Sequence, residues 1–210
     1  MPMVIAIDGP AASGKGTLAK RLAAHYGLPH LDTGLLYRAV ALTVLDAGYD
    51  LDDRNAAARA ASTLIADRLA DPRLRQRAMG DAASRISSVP AVRAALLAWQ
   101  QRFASGEAGA VLDGRDIGTV VCPDARVKLF ITAAPEERAR RRHLELMRRG
   151  ETSSLSAILE DIVARDARDA SRSTAPLKAA ADAVVLDTTE LDPDEAFEAA
   201  RAVVDRMRSH

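Results

Sequence analysis

Apolar residues in this chain fall into two rhythms. Short unbroken runs stand at Met3-Val4-Ile5-Ala6-Ile7, Ala110-Val111-Leu112, Val127-Lys128-Leu129-Phe130-Ile131 and Val184-Val185-Leu186. Between them lie longer stretches in which apolar positions recur every three or four residues. The runs predict buried strands and the stretches predict helices. His30-Leu31-Asp32 carries little apolar signal and is expected to be a very short strand only because helical patterns flank it. The first helix should run from Lys15 to about Tyr26 and stop at Gly27. Thr33 is expected to cap a second helix that ends near Gly48. From Asp52 to Ser105 the Ala- and Arg-rich pattern predicts about three helices divided by Pro72, Gly80 and Pro90, the last with an apolar side of Leu96, Leu97, Trp99 and Phe103. Pro135-Glu136-Glu137 opens a helix that closes on Arg148-Arg149-Gly150, and further helices follow over Leu155 to about Ser171 and Pro193 to Met207. Strands alternating with helices predict an α/β fold: a parallel sheet of about five strands with helices on both faces and ligands beyond the strand C-terminal ends.

Chemistry collects at those strand ends. Gly9-Pro10-Ala11-Ala12-Ser13-Gly14-Lys15-Gly16-Thr17 lies between the first strand and the first helix. Its glycines allow close approach of backbone N–H groups to an anion, the helix N-terminus faces the same point, and Lys15 adds a full charge. Gly16 occupies the place where Ser or Thr commonly follows the lysine, so Thr17 becomes the candidate hydroxyl for Mg²⁺. The stretch predicts a nucleoside triphosphate site.

Composition narrows the partners. The 210 residues carry 29 basic and 29 acidic side chains and only 3% aromatics, which gives neither global attraction to nucleic acid nor a supply of stacking platforms. Cys122 is the only cysteine, so no intrachain disulfide forms. No apolar run is long enough for a membrane span, and the first strand starts without a signal-like segment. A cytoplasmic monomer that binds no nucleic acid and no membrane is expected.

A second set of groups would give the triphosphate something to do. Arg38 lies just inside the helix that follows Asp32-Thr33. Asp113-Gly114-Arg115-Asp116 follows a strand, and Asp113 there could hold Mg²⁺ or its waters. Arg165, Arg168, Asp169 and Arg172 are spaced to line one helix face. Phosphoryl transfer needs such a supply, because the protein's task is to neutralise the moving charge and align donor with acceptor. Each group also has a plainer reading: a solvated Arg/Asp face, an Asp-Gly turn, a basic surface over Arg138–Arg149, packing for Tyr37. The four histidines show no metal-ligand spacing.

Taken together these residues resemble the bacterial cytidylate kinases among the P-loop nucleoside monophosphate kinases. The resemblance runs from Ile7-Asp8-Gly9-Pro10 and Gly14-Lys15-Gly16-Thr17 through Leu31-Asp32-Thr33-Gly34 with Tyr37-Arg38. It continues through Asp113-Gly114-Arg115-Asp116-Ile117-Gly118-Thr119-Val120-Val121 and Pro123-Asp124 to Glu136-Glu137-Arg138. It ends in Arg165-Asp166-Ala167-Arg168-Asp169 with Arg172 and Ala175-Pro176-Leu177. It implies a single P-loop kinase domain over 1–210, with a helical monophosphate-binding lobe over 33–108 and a lid over about 143–172. It implies ATP and CMP or dCMP as substrates with Mg²⁺. Gly9, Pro10, Ala11, Ala12, Ser13, Gly14, Lys15, Gly16 and Thr17 would hold ATP, with Arg141 near the adenine. Arg38, Arg115 and Arg165 would grip the acceptor phosphate, and Lys15, Arg115 and Arg165 would carry catalysis. Asp169 and Arg172 would reach the ribose, Thr33 and Tyr37 would line the pocket, and Ser84, Arg93 and Asp116 would face cytosine. Asp116 can accept from cytosine's exocyclic amine but would confront uracil's carbonyl with unpaired acceptors, which gives selectivity a physical basis.

Many members carry a small antiparallel β insert ahead of the helix that holds the Ser84 equivalent. Leu69–Arg77 shows no strand alternation, so this chain is expected to lack it, with consequences for CMP affinity and dCMP handling. Two other readings remain at this stage: a kinase of a small hydroxy acid or sugar, and a nucleotide switch or RNA binder using Arg138–Arg149.

Overall fold

The computed structural model describes residues 2–208. The chain divides into two compact units, Met1–Leu31 with Gly106–His210, and Asp32–Ser105.

The first unit is built on the sheet. Strands β1 (Val4–Asp8), β2 (His30–Asp32), β3 (Ala110–Gly114), β4 (Val127–Thr132) and β5 (Val184–Asp187) lie in the order β2-β3-β1-β4-β5. β1 pairs in parallel with β3 and β4, and β4 with β5. Helices α1 (Lys15–Tyr26) and α8 (Pro193–Arg208) pack together over one face. Ile5, Ile7, Val111, Val127, Leu129 and Ile131 meet Leu18, Leu22, Ala200 and Val204 there in one core. Strand side chains alternate between faces, so the near-continuous apolar runs are what a strand covered on both sides requires. The register pairs Ile7 with Asp113 and Asp8 with Gly114. Asp113 therefore shares the α1 face, whereas Asp8 points to the opposite one.

α1 ends as its sequence predicts. Gly27 takes a left-handed conformation (φ 65°), and Leu28 N–H returns to the Ala23 carbonyl at 2.9 Å. Two further helices, α6 (Pro135–Arg148) and α7 (Leu155–Ala170), pack against each other around Ala139, Leu146, Ile158 and Ile162. α6 carries Glu136 and Glu137 in its first turn and Arg148 in its last, each matched to the helix dipole. The Ser154 hydroxyl caps α7 by accepting from Ala157 N–H.

After its first residue, which closes β2, the second unit is helical: α2 (Thr33–Asp46), α3 (Arg54–Ser62), α4 (Arg77–Ile86) and α5 (Pro90–Ala104). Short 3₁₀ turns at Ala66–Ala70 and Pro72–Arg75 occupy the stretch expected to lack a β insert, and none of the described residues 33–105 is in a strand. α2 packs on α3 and α4, and α3 on α5.

Three local expectations are corrected. Thr33 is the first helical residue of α2 and not its cap; Asp32 holds the cap position without a side-chain bond. Gly80 does not divide the region but lies within α4, a cost of about 1 kcal/mol that the packed helix absorbs. The buried side of α5 is Val92, Arg93, Leu96, Gln100 and Ala104; Trp99 and Phe103 are half-buried and stack on each other, their ring centroids 6.3 Å apart.

Candidate active site

The loop between β1 and α1 is shaped by unusual backbone. Gly9 has φ 150°, and a Cβ there would stand 2.0 Å from the Ile131 carbonyl oxygen, so only glycine fits. Ala12 is held at φ 58°, a left-handed conformation that costs a residue with a side chain about 1–2 kcal/mol. Gly14 at φ 86° turns the chain into α1, where Leu18 N–H makes an early helical bond to its carbonyl at 3.1 Å. The Ser13 hydroxyl is fully buried and has no hydrogen-bond partner among the described residues. Lys15 is buried, and its ammonium donates to the Pro10 carbonyl at 3.1 Å, which folds it back over the loop. This is a concave run of backbone donors at a helix N-terminus with a lysine already curled across it, the arrangement that binds polyphosphate.

α6 borders the same loop. Arg141 lies with a guanidinium nitrogen 3.7 Å from where a Cβ on Gly14 would be, and it donates to Glu137 and to Thr188. Arg138 was not singled out for a role, yet it is buried and reaches three partners. It donates to the carbonyl of Ala11 in the loop (3.3 Å), to that of Ala133 (2.8 Å), and pairs with Asp166 on α7 (2.7 Å). Elsewhere on α6, Arg140 pairs with Glu137, and Arg142 and Arg149 pair with Glu145. Arg140 and burial pull the Glu137 carboxyl in opposite directions; Arg140, with help from Arg141, prevails and holds it down at about 2. A basic face neutralised along its own helix has little left to offer a phosphate backbone, which counts against the RNA-binding reading.

Asp113 ends β3 on the α1 face. One oxygen meets His30 Nε2 at 2.7 Å, and the other lies 3.7 Å from where a Cβ on Gly16 would be. Thr17, one residue on, is exposed. These hard oxygen donors fit Mg²⁺, which binds through one or two protein oxygens plus phosphate and water. Among the described residues, no group of three or more His, Cys, Asp or Glu could hold a metal. His30 carried no metal-ligand spacing, and spacing could not have shown its partner, which lies 83 residues away.

The Arg/Asp stripe of α7 is only partly one face. Arg168 is exposed, and Arg172 lies beyond the end of α7 at Ala170, where it turns back to Asp169. Asp169 is 0% exposed. Its second oxygen accepts from Arg115 Nε at 2.9 Å and lies 4.0 Å from Arg165. Burial pushes the Asp169 carboxyl up, but Arg115, Arg172 and Arg165 together outweigh it and hold the group below the usual carboxylate range. The structure thus brings the half-buried Arg115, Arg165 and Arg172 together around the buried Asp169.

Between Asp116 and Cys122 the chain makes a wide turn over Ile117–Val121, closed by Cys122 N–H to the Ile117 carbonyl at 2.7 Å. Nothing in the sequence pattern predicted it. Asp116 at its start is buried. Across from it, Asp8 accepts from Ile117 N–H (2.7 Å) and Gly118 N–H (2.8 Å). Burial pushes the Asp8 carboxyl up to about 6; the two amides and Lys15 oppose this, while Asp116 adds to it. Asp8 was not among the candidate residues, although an acid that ends an apolar strand ahead of glycine is the signal that picked out Asp113.

In the helical unit, Thr33, Tyr37, Ser84 and Arg93 are buried. Arg93 donates to the Ser87 carbonyl (3.3 Å), and its guanidinium carbon stands 5.6 Å from the centre of the Tyr37 ring. Ser87 in turn donates to the Ser84 carbonyl at 3.0 Å. Arg38 donates to the Leu74 carbonyl at 3.3 Å. Arg93, Tyr37 and Ser84 are thus linked within this unit, Ser84 through Ser87.

A five-stranded parallel sheet flanked by helices, with this loop after its first strand, defines a P-loop nucleotide-binding protein. A solved structure of an uncharacterized protein from Eubacterium ventriosum shares the fold over the full length of both chains, at a TM-score of 0.56 and 16% identity. The family model for cytidylate kinase matches residues 5–206. A cytidylate kinase of Methylobacterium sp. (strain 4-46) is 72% identical over 97% of this chain and 97% of its own. One from Methylocella silvestris is 62% identical over 97% of this chain and 94% of its own. The chain belongs to the cytidylate kinase family.

Proposed function

We propose that this protein transfers the γ-phosphoryl group of ATP to CMP and dCMP, giving ADP with CDP or dCDP, as a cytoplasmic monomer acting on free nucleotides. The observation that carries the reading is the gathering of Arg115, Arg165 and Arg172 around the buried Asp169, in the unit that also holds the Gly9–Thr17 loop. A triphosphate loop alone would serve hydrolysis or switching; arginines held in place by a buried carboxylate supply the grip on a second phosphate.

In this reading Gly9–Thr17 hold the ATP phosphates, and Lys15 leaves the Pro10 carbonyl to meet them. Arg141 lies against the adenine. Arg38, Arg115 and Arg165 hold the CMP phosphate in line with the γ-phosphorus, and no covalent intermediate is needed. Mg²⁺ would be held by Thr17 and Asp113, in part through water, and neutralises charge on the polyphosphate. Asp169 and Arg172 meet the ribose; each carboxylate oxygen has lone pairs left beyond its arginine partner. Thr33 and Tyr37 line the acceptor pocket, and Ser84, Arg93 and Asp116 read cytosine. Residues 33–108 act as the monophosphate-binding lobe. Residues 143–172 act as a lid whose segment 150–156 orders when both nucleotides bind and excludes water as a competing acceptor.

The test is a coupled assay of ADP formation with an acceptor panel. CMP and dCMP should be turned over far better than UMP, AMP or GMP. Preference for AMP or UMP would overturn the base assignment, and no turnover with any monophosphate would overturn the kinase reading.

A further inference from the structure

We propose that Asp8 is a positioning residue for the acceptor: by clamping the amides of Ile117 and Gly118 it fixes the direction in which Arg115 and Asp116 are presented. This rests on the reading above that those two residues meet CMP. Asp8 is 4% exposed, and its two oxygens are taken one each by consecutive backbone N–H groups. A buried carboxylate is costly to desolvate, so a structure that keeps one there must use it.

The wide turn explains the use. Its first carbonyls are satisfied from within: Asp116 accepts from Val120 and Val121 (2.9 and 3.2 Å), and Ile117 from Cys122 (2.7 Å). Its first N–H groups have no partner inside the turn, just as at a helix start. Asp8 supplies the cap from a neighbouring strand. Gly118 keeps this corner uncrowded: a Cβ there would press on the flexible Lys128 stem at 3.2 Å and would touch Asp8 Oδ2 at an ordinary contact distance of 3.5 Å. Asp116, immediately before the clamped amides, is left at φ −144°, ψ 25°. The residue after Asp8 is Gly9, the start of the ATP loop. One carboxylate therefore ties the strand that delivers the donor loop to the loop assigned to the acceptor.

Asp8→Asn keeps the size but offers one acceptor and turns an NH₂ toward the other amide. Losing one charge-assisted bond of this kind should raise KM for CMP roughly tenfold and leave KM for ATP within about twofold. The preference for CMP over UMP should fall with it. Amide exchange at Ile117 and Gly118 should accelerate in the variant while β1 stays protected. A merely structural role would move both KM values together, and that result would overturn the proposal. Protection of both amides unchanged from wild type would overturn it as well. Asp116→Ala, run in parallel, judges the base assignment separately. If it leaves the CMP/UMP ratio unchanged, the Asp8 clamp is decided by the amide exchange alone. Should Asp8→Asn fail to fold, Gly118→Val, whose larger side chain crowds Lys128 and the Asp8 carboxylate from the other side, must give the same split between CMP and ATP.

Discussion

β1 and β3 are hydrogen-bonded neighbours, and each runs out at an Asp-Gly step, yet the two acids do opposite work. The register is offset by one residue, so Ile7 lies beside Asp113 and Asp8 beside Gly114. Alternation then sends Asp113 to the α1 face, next to Gly16 of the triphosphate loop and His30. It sends Asp8 to the other face, against Ile117 and Gly118. The same dipeptide becomes a candidate metal holder in one strand and a backbone clamp in the next. A shift of one position decides which. A motif found at a strand end therefore says little until the register is known.

The largest effect that would sharpen this contrast comes from the glycines beside the acids. Gly9→Ala drives a Cβ against the rigid Ile131 carbonyl, so a loss of roughly 4 kcal/mol and about 10 °C in thermal midpoint is expected. Calorimetry showing a change below about 2 °C would mean that the loop relaxes freely.

Next comes the pH dependence of Asp8. Its carboxyl is pushed up to about 6 from an ordinary 3.8, chiefly by burial. The folded state therefore binds this proton more tightly than the unfolded state. The associated stability is fully present below about pH 4 and is lost as pH rises through about 6, amounting to about 3 kcal/mol. Asp8→Asn removes the term, so the variant's stability relative to wild type should climb by that order between pH 4 and 7 in urea titrations. A pH-independent difference would contradict the burial argument. Glu137 has the opposite sign: its carboxyl is held down at about 2, so its contribution is present above about pH 4.5 and is lost as pH falls toward 2. Subtraction of the two curves cancels it.

The smallest effect is that of Gly118→Ala. Its new Cβ meets the flexible Lys128 stem at 3.2 Å, so about 1 kcal/mol of stability is expected to go, measured by the same denaturation. A loss as large as that for Gly9→Ala would show that the two loops are equally rigid.

How far the sequence could be read follows from the kind of signal each element carries. Helix ends marked by glycine, proline or charge in the terminal turns, as at Gly27, Pro90, Pro135 and Arg148, stand where local chemistry puts them. The triphosphate loop was legible because its glycines and lysine are contiguous. The interior of the helical unit was less so. Gly80 reads as punctuation in the sequence, but packing overrides its poor propensity; Thr33 has the chemistry of a cap, but Asp32 holds the position. Arg138 and His30 carry no local signal, because each acquires its meaning from partners far away in sequence; Asp8 shares the strand-end signal of Asp113, but its partners are equally remote. Arg138 reaches Ala11 across 127 residues, and Asp8 reaches Ile117 across 109. Spacing rules see one helix or one turn at a time.

The division between the two strand ends is tested most directly by measuring KM for CMP and the Mg²⁺ requirement side by side in wild type, Asp8→Asn and Asp113→Asn. Asp113→Asn should raise the Mg²⁺ concentration for half-maximal rate roughly tenfold and leave KM for CMP within about twofold. Asp8→Asn should do the reverse. Variants that shift both constants in parallel would contradict it, and the two acids would then be parts of one site rather than opposite faces of a shared pair of strands.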